Sequence, residues 1–243
     1  MKRRIDPVDL ATISLEWDKT GPKRQMAIDA GLDLSLMYIT APCILKSISM
    51  IPHKKILDAG CGTGFLTNEM AEISEECWGI DSSRECIRFA KERYQKKTLN
   101  FVCTPIKSFA YNQLFDVCVS NMVFMDDPEW KDSLIHIVEM LAPKGRLLMT
   151  ITHPCFWPKY WGYQDEPWFN YSEEIFIQGD FSITMEKQIG ITTHIHRPLS
   201  SYLSTLIQTG LKIEKIAELT SEKAMPSTDE QKYPRFIFIQ AIK

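Results

Sequence analysis

Directly after the apolar pair Ile56-Leu57, the run Asp58-Ala59-Gly60-Cys61-Gly62-Thr63-Gly64 sets one carboxylate ahead of three glycines at alternate positions. Such a run predicts a buried strand that turns sharply into a helix, with a ligand held against the turn. Glycine tolerates positive φ and has no side chain, so a nucleoside can lie on the backbone at the carboxyl edge of a doubly wound α/β sheet. A dinucleotide site wants G-x-G-x-x-G, with bare amides facing a pyrophosphate. Here the spacing is G-x-G-x-G, Phe65 stands where the last glycine would be, and Asp58 puts a negative charge beside the phosphate position. That charge selects for a cation. A second acidic residue, Asp81, closes the run Cys77-Trp78-Gly79-Ile80, where its carboxylate can accept both hydroxyls of a ribose.

S-adenosylmethionine joins a nucleoside to such a cation, since its amino acid end carries an ammonium and its sulfur is a sulfonium. At this point the chain resembles the class I S-adenosylmethionine-dependent methyltransferases, over most of its length. Ile56 to Gly64 is similar to that family's first motif and Ile80-Asp81-Ser82 to its second. Phe115-Asp116-Val117-Cys118-Val119-Ser120-Asn121 is similar to the fourth, and Leu141-Ala142-Pro143-Lys144-Gly145-Arg146 to the loop before the fifth strand. Within the family, the chain resembles the ubiquinone and menaquinone methyltransferase-like group, which acts on small molecules.

The resemblance implies a single α/β domain over residues 1–243, a Rossmann-like, seven-stranded, mostly parallel sheet with helices on both faces and the last strand antiparallel. It implies an N-terminal helical cap over 1–50 and a substrate-covering insertion after strand five, over 155–190. The cofactor would be S-adenosylmethionine, leaving as S-adenosylhomocysteine, with Asp58, Gly60, Cys61, Gly62, Gly64, Asp81, Ser82, Asn121 and Met122 in contact. Where the family has an acidic residue after the third strand to read adenine, this chain has Thr104-Pro105-Ile106. The expected replacement is a sandwich between Ile106 and Ile80.

Composition bounds the rest. With 243 residues, 44% of them hydrophobic, one sizeable core can form. A net charge of −3 gives no reason to expect a nucleic-acid partner. The seven cysteines, with no C-x-x-C pair, fit a reducing cytoplasm. Met1-Lys2-Arg3-Arg4 lacks a following apolar run, so no signal peptide is expected, and no stretch approaches 18 apolar residues, so no membrane span is either.

Taking the elements in order, Phe65 to Ile73 should be the first crossover helix, and Ser82 or Ser83 should cap a second. Trp130, Leu134, Ile137 and Leu141 share a helix face and read as core. Arg146 to Thr152 is a strand that delivers His153 to the ligand edge, where an imidazole could act as general base. Between Phe156 and Tyr171 lie eight aromatic residues, followed by a hairpin expected around Gly179-Asp180, with Ile175-Phe176-Ile177 and Ile183-Thr184-Met185 as its arms. Trp17 and Tyr38 from the cap, Trp161 and Tyr171 from the insertion, and His196 and Arg197 beyond it are the candidate substrate contacts. Arg197 would hold an anionic group. His194 and His196 alternate on extended chain, but no third ligand completes a metal site, so no metal is expected.

The expected function is methyl transfer to an oxygen, nitrogen or carbon nucleophile of a small molecule, aromatic or natural-product-like, by a monomer or homodimer. The alternatives are an RNA or protein methyltransferase, or an S-adenosylmethionine-binding protein without catalysis. Base methylation loses its signature, because Asn121-Met122-Val123-Phe124 stands where a D/N-P-P-Y/F sequence would be.

Overall fold

A computed structural model describes residues 2–183, 186–220 and 233–243. A short strand, β1 (Arg3–Ile5), opens the chain. Helix α1 (Leu10–Asp29) follows, its start fixed by Asp9, whose side chain accepts from the Thr12 amide. Pro22 lies inside α1 behind Gly21. A π-helical turn over Leu36–Thr40 leads into α2 (Ala41–Ser49). The alternating part then begins: β2 (Lys55–Ala59), α3 (Phe65–Ala71), β3 (Glu76–Asp81), α4 (Arg84–Arg93) and β4 (Leu99–Cys103). A 3₁₀ turn at Ile106–Ser108 connects to β5 (Phe115–Asn121), α5 (Trp130–Met140) and β6 (Leu141–Thr152). The remainder is α6 (Trp157–Trp161), β7 (Ile175–Ile183), β8 (Glu186–His196), α7 (Leu199–Gln208), β9 (Lys212–Leu219) and β10 (Phe236–Ile242).

Seven strands form the main sheet in the order β4-β3-β2-β5-β6-β10-β9. The pairings of β4, β3, β2, β5 and β6 are parallel, and β10 runs antiparallel to both neighbours, so the final strand is reversed as expected. Strand order turns back between β2 and β5, and at such a switch point a doubly wound sheet opens a crevice at its carboxyl edge. The strands there read as near-continuous apolar runs because both faces are covered. Leu57, Ile80, Cys118 and Leu147 pack with α5 and α7 on one face, and Ile56, Val117, Val119 and Leu148 pack with α2 and α3 on the other. In α5, Trp130, Leu134 and Ile137 are buried as their spacing predicts, whereas Leu141 caps the helix and begins β6.

A second sheet, β1-β7-β8, is antiparallel. Here the sequence expectation needs correction. Gly179 and Asp180 lie inside β7, paired with Thr192 and Ile191, and the hairpin reverses past the pair Ile183 and Glu186. Thr184 and Met185, expected in its second arm, lie outside the described residues. A Cβ on Gly179 would fall 2.3 Å from the Lys2 side chain, so this glycine makes room for β1 and marks no turn. Strand β8 also carries the excursion through His196, past the expected end at residue 190.

Candidate functional site

Helix α1 lies across the carboxyl edge and is tied down at both ends of its contact. Its Asp18 carboxylate accepts from the Ser83 hydroxyl at 2.6 Å and from the Glu85 amide at 3.0 Å, beside the Ser83 hydroxyl that caps α4. Gln25 accepts from the Thr63 hydroxyl in the glycine turn. On the far side, the Glu16 carboxylate accepts from the Thr193 amide and hydroxyl and from the Gln178 side chain. Between α1 and the sheet edge runs an open cleft of about 1030 Å³.

The loops that line the cleft follow the order of the strands. Ile106 comes from the turn after β4, and Asp81 and Ser82 from the end of β3. Asp58, Gly60, Cys61 and Gly62 come from β2 and its loop, and Asn121 and Met122 from the end of β5. Nine-tenths of the expected cofactor set is thereby gathered on one wall. Gly64 is the exception among them: at φ +82° it caps α3 and packs against Phe101, where a Cβ would meet the ring at 2.7 Å. It lets helix and sheet approach and does not face the cleft. Gly60, at φ +85°, would drive a Cβ to 2.3 Å from Val123. Met122 holds φ at 61°, a conformation disfavoured for a non-glycine side chain and found where a site imposes it.

The two carboxylates differ in what they already hold. Asp81 accepts from the Gly62 and Ser83 amides, both at 2.8 Å, so it fixes the glycine turn. Burial pushes its carboxyl above the usual range, and those two amides oppose the shift. Asp58 is 1% exposed and accepts from the Thr67 hydroxyl at 2.6 Å. Burial pushes it up to about 7, with the Thr67 bond opposing and the nearby Asp81 charge adding to the rise. A buried carboxyl poised near neutrality is stabilised as the anion by a cation placed beside it.

The other expected contacts separate into two groups. Trp17 lines the cleft from α1. Its helix face also contributes Leu10, Ile13, Gly21, Arg24 and Ile28, spaced 3 or 4 apart. That period is a signal the sequence carried and the irregular apolar spacing of the cap obscured. Tyr38 is 44% exposed and lies outside the cleft lining. Trp161 packs on Trp157 and edge-on to Tyr163, with the Lys2 ammonium 3.7 Å over its ring, in a subcore beneath β7. The Tyr171 hydroxyl accepts from the Leu199 amide. The His196 ring donates through Nε2 to the Tyr171 carbonyl and accepts at Nδ1 from the Tyr163 hydroxyl, and burial lowers its pKa to about 4. None of these four side chains lines the cleft: Tyr38 is exposed on its turn, Trp161 closes the hydrophobic subcore under the hairpin, and Tyr171 and His196 hold each other and Leu199 in hydrogen bonds.

Arg197, expected to hold an anion, is spoken for. Its guanidinium pairs with Glu174 and donates to the carbonyls of Phe124 and Asp127, lying over the Trp130 ring. It thereby anchors the loop after β5. His153 is 2% exposed and does not line the cleft. Its Nδ1 accepts from the Cys155 amide, so the proton resides on Nε2, which meets the Glu218 carboxylate at 3.1 Å. Burial lowers its pKa, and Glu218 opposes the shift. His153→Ala is expected to leave S-adenosylhomocysteine affinity within about twofold and to cost roughly 1–2 kcal/mol of stability from lost packing and hydrogen bonds. Paired calorimetry and urea unfolding would check this, and a selective loss of turnover would restore the imidazole to the chemistry.

Residues 52–166 match a family model described as a methyltransferase domain. That stretch, just under half of the chain, is similar to methyltransferase domains. A malonyl-[acyl-carrier protein] O-methyltransferase from Bacillus cytotoxicus is 30% identical over 107 residues, 43% of this chain and 38% of that protein. The chain therefore aligns with well under half of the length of that relative. Two solved structures share the fold. An S-adenosylmethionine-dependent methyltransferase from Clostridium acetobutylicum superposes with TM-score 0.64 at 18% identity, covering 89% of this chain and 98% of the other. The 1,6-didemethyltoxoflavin-N1-methyltransferase of Burkholderia thailandensis, solved with its acceptor and S-adenosylhomocysteine, does so at 0.64 and 17%, covering 100% and 94%. The matched residues contain β2 through β6, whose carboxyl ends line the cleft, and β9 and β10 complete the sheet outside them. Among the described residues no helix is long and apolar enough to cross a membrane, and no three potential metal ligands are gathered together.

Proposed function

We propose that the chain transfers the methyl group of S-adenosylmethionine to a nucleophile of a small molecule, releasing S-adenosylhomocysteine. One observation carries the reading: a buried carboxylate, Asp58, and a half-buried one, Asp81, flank a positive-φ glycine turn inside a single cleft at the sheet's switch point. Asp81 takes the ribose hydroxyls, Asp58 supports the cationic amino acid end, and Ile106 with Pro105 covers the adenine, since Ile80, expected to share that role, is fully buried in the core and does not line the cleft. The sulfonium then faces the loop after β5. Chemistry here needs alignment more than acid or base groups, since a sulfonium methyl held in line with a nucleophile in a site shielded from water reacts by direct displacement. The 1,6-didemethyltoxoflavin named for the Burkholderia neighbour supports the choice of a small-molecule acceptor for this chain. The seven cysteines, all unpaired, suit a cytoplasmic protein.

The direct test is calorimetry with S-adenosylmethionine, S-adenosylhomocysteine and NAD. Heat with NAD and silence with the sulfur nucleosides would remove the reading. The same titration run across pH carries a second expectation. Asp58 must be anionic to favour the cation, and burial holds its pKa at about 7. Affinity for S-adenosylmethionine should therefore fall as pH drops through about 7, and Asp58→Asn should flatten that dependence. An equal slope in both proteins would detach Asp58 from the cationic end.

A further inference from the structure

Four aspartates line the cleft: Asp58, Asp81, Asp126 and Asp127. Three have donors of their own. Asp58 holds Thr67, Asp81 holds two amides, and Asp127 accepts from the Glu129 amide and the Ser133 hydroxyl, both at 2.7 Å. The carboxylate of Asp126 accepts no hydrogen bond from any described residue. Among the described residues its one ion-pair contact is with Nδ1 of His194, at 3.7 Å from Oδ1, and its side chain is 13% exposed and lines the cleft. A buried carboxylate without donors is costly unless something else supplies them.

Topology says what reaches it. With a ribose at Asp81 and the base toward the loop after β4, the opposite arm of a nucleoside runs past the glycine turn to the loop after β5, where Asp126 stands four residues beyond Met122. Trp17 shares this end: it packs with Ile195, whose amide donates to the Met125 carbonyl. An aromatic side chain and a bare carboxylate lining one cleft suit an ammonium. The nearby cations are committed elsewhere, Arg24 to Asp33 at 2.9 Å and Arg197 to Glu174 and two carbonyls. A carboxylate acceptor would meet a negative charge at this end, and the Arg24 guanidinium that also lines the cleft is already paired with Asp33.

Resting on the methyl-transfer reading, we propose that Asp126 receives the acceptor, and that the acceptor is an amine. The amine enters as its ammonium, hydrogen-bonds to the carboxylate and yields one proton to it, which frees the nitrogen lone pair. That pair attacks the sulfonium methyl carbon. The N–C bond forms as the C–S bond breaks, its electron pair goes to sulfur, and the N-methyl ammonium and neutral S-adenosylhomocysteine leave before Asp126 returns its proton to water. The surroundings favour this exchange. Burial first, then the charge of Glu16 on α1, with a smaller contribution from Asp127 on its own loop, raise the carboxyl well above its usual range, while Arg24 on α1 and Arg197 beyond β8 oppose them. His194 on β8, lowered to about 3 by burial, stays neutral and does not compete as a cation. A raised carboxyl pKa narrows the gap to an ammonium and makes proton transfer between them easier.

The test uses benzylamine and benzoate as matched probes, each titrated by NMR into the protein saturated with S-adenosylhomocysteine. Benzylamine should bind, benzoate should bind at least tenfold more weakly, and acidification through the raised Asp126 pKa should weaken benzylamine. Asp126→Asn should lose benzylamine by about tenfold or more, as expected for a hydrogen bond to a charged group, with S-adenosylhomocysteine affinity kept. If that variant fails to fold, the comparison of the two probes and the pH series in the wild-type protein still decide. Equal binding of the two probes, a benzylamine affinity that ignores pH, or unchanged benzylamine binding in Asp126→Asn would each overturn the assignment while leaving S-adenosylhomocysteine binding intact. Failure of the wild-type protein to bind S-adenosylhomocysteine would remove the methyl-transfer reading itself, and this assignment with it.

Discussion

Replacing Arg197 with methionine should cost the fold roughly 2–5 kcal/mol, a fall in melting temperature on the order of 10 °C for a chain of this size. The side chain is 1% exposed and spans three partners: Glu174, which is half-exposed, and the carbonyls of Phe124 and Asp127. Methionine keeps most of the apolar contact with Trp130 and removes every donor. Water can reach Glu174, but the two carbonyls are left in the interior, and each unpaired buried polar group costs on the order of 1–3 kcal/mol. Because those carbonyls belong to the loop after β5, S-adenosylhomocysteine binding should weaken only as that loop loosens. Thermal unfolding followed by calorimetry would settle the role. A variant as stable as the parent, with affinity lost only for anionic acceptors, would return Arg197 to the anion-holding part its position in the sequence suggested.

Asp81→Ala should weaken S-adenosylhomocysteine binding by roughly 1.5–3 kcal/mol, about tenfold to 150-fold, the range for hydrogen bonds that involve a charged group. Two effects contribute. The carboxylate would no longer accept the ribose hydroxyls, and the Gly62 amide it holds at 2.8 Å would be released, so the turn would have to be ordered by the ligand itself. Asp81→Asn separates them. It retains an oxygen for the Gly62 amide and loses the charge, and its affinity should fall between the parent and the alanine variant. An unchanged dissociation constant in Asp81→Ala would take the residue out of the site.

The cofactor wall was legible from local sequence because its residues are close along the chain to the strands that place them. A carboxylate at the end of β2, one at the end of β3, and an asparagine at the end of β5 each sit at a strand terminus, and parallel strands bring their carboxyl ends to one edge. Gly64 shows the limit of that logic. Its place in the motif suggested a ligand contact, but whether a glycine faces a ligand or a helix depends on the packing of Phe101, which lies on another strand.

The far wall was harder to read. His153, His196 and Arg197 are polar residues near the same edge, and their types invite a functional role. Their partners, Glu218, Tyr163 and the carbonyls of the loop after β5, are 33 to 73 residues away in sequence, so nothing local announces that their hydrogen bonds are already satisfied. The aromatic segment misled in the same way: its composition suggested walls for a flat acceptor, and the hairpin of β7 and β8 used most of it to cover its own apolar face. Asp126 is the converse, a residue without a motif whose carboxylate is left without donors only by the way α1, β8 and the loop after β5 meet.

Sequence alone therefore determined the α/β alternation, the reversed last strand and the glycine turn at the sheet's carboxyl edge, because apolar period, glycine placement and strand-terminal acids are properties of short segments. The tertiary structure decided which polar side chains remain open to a ligand. That depends on hydrogen-bond partners drawn from distant parts of the chain, and a buried group is available for chemistry where the fold has left part of its hydrogen-bonding capacity unfilled.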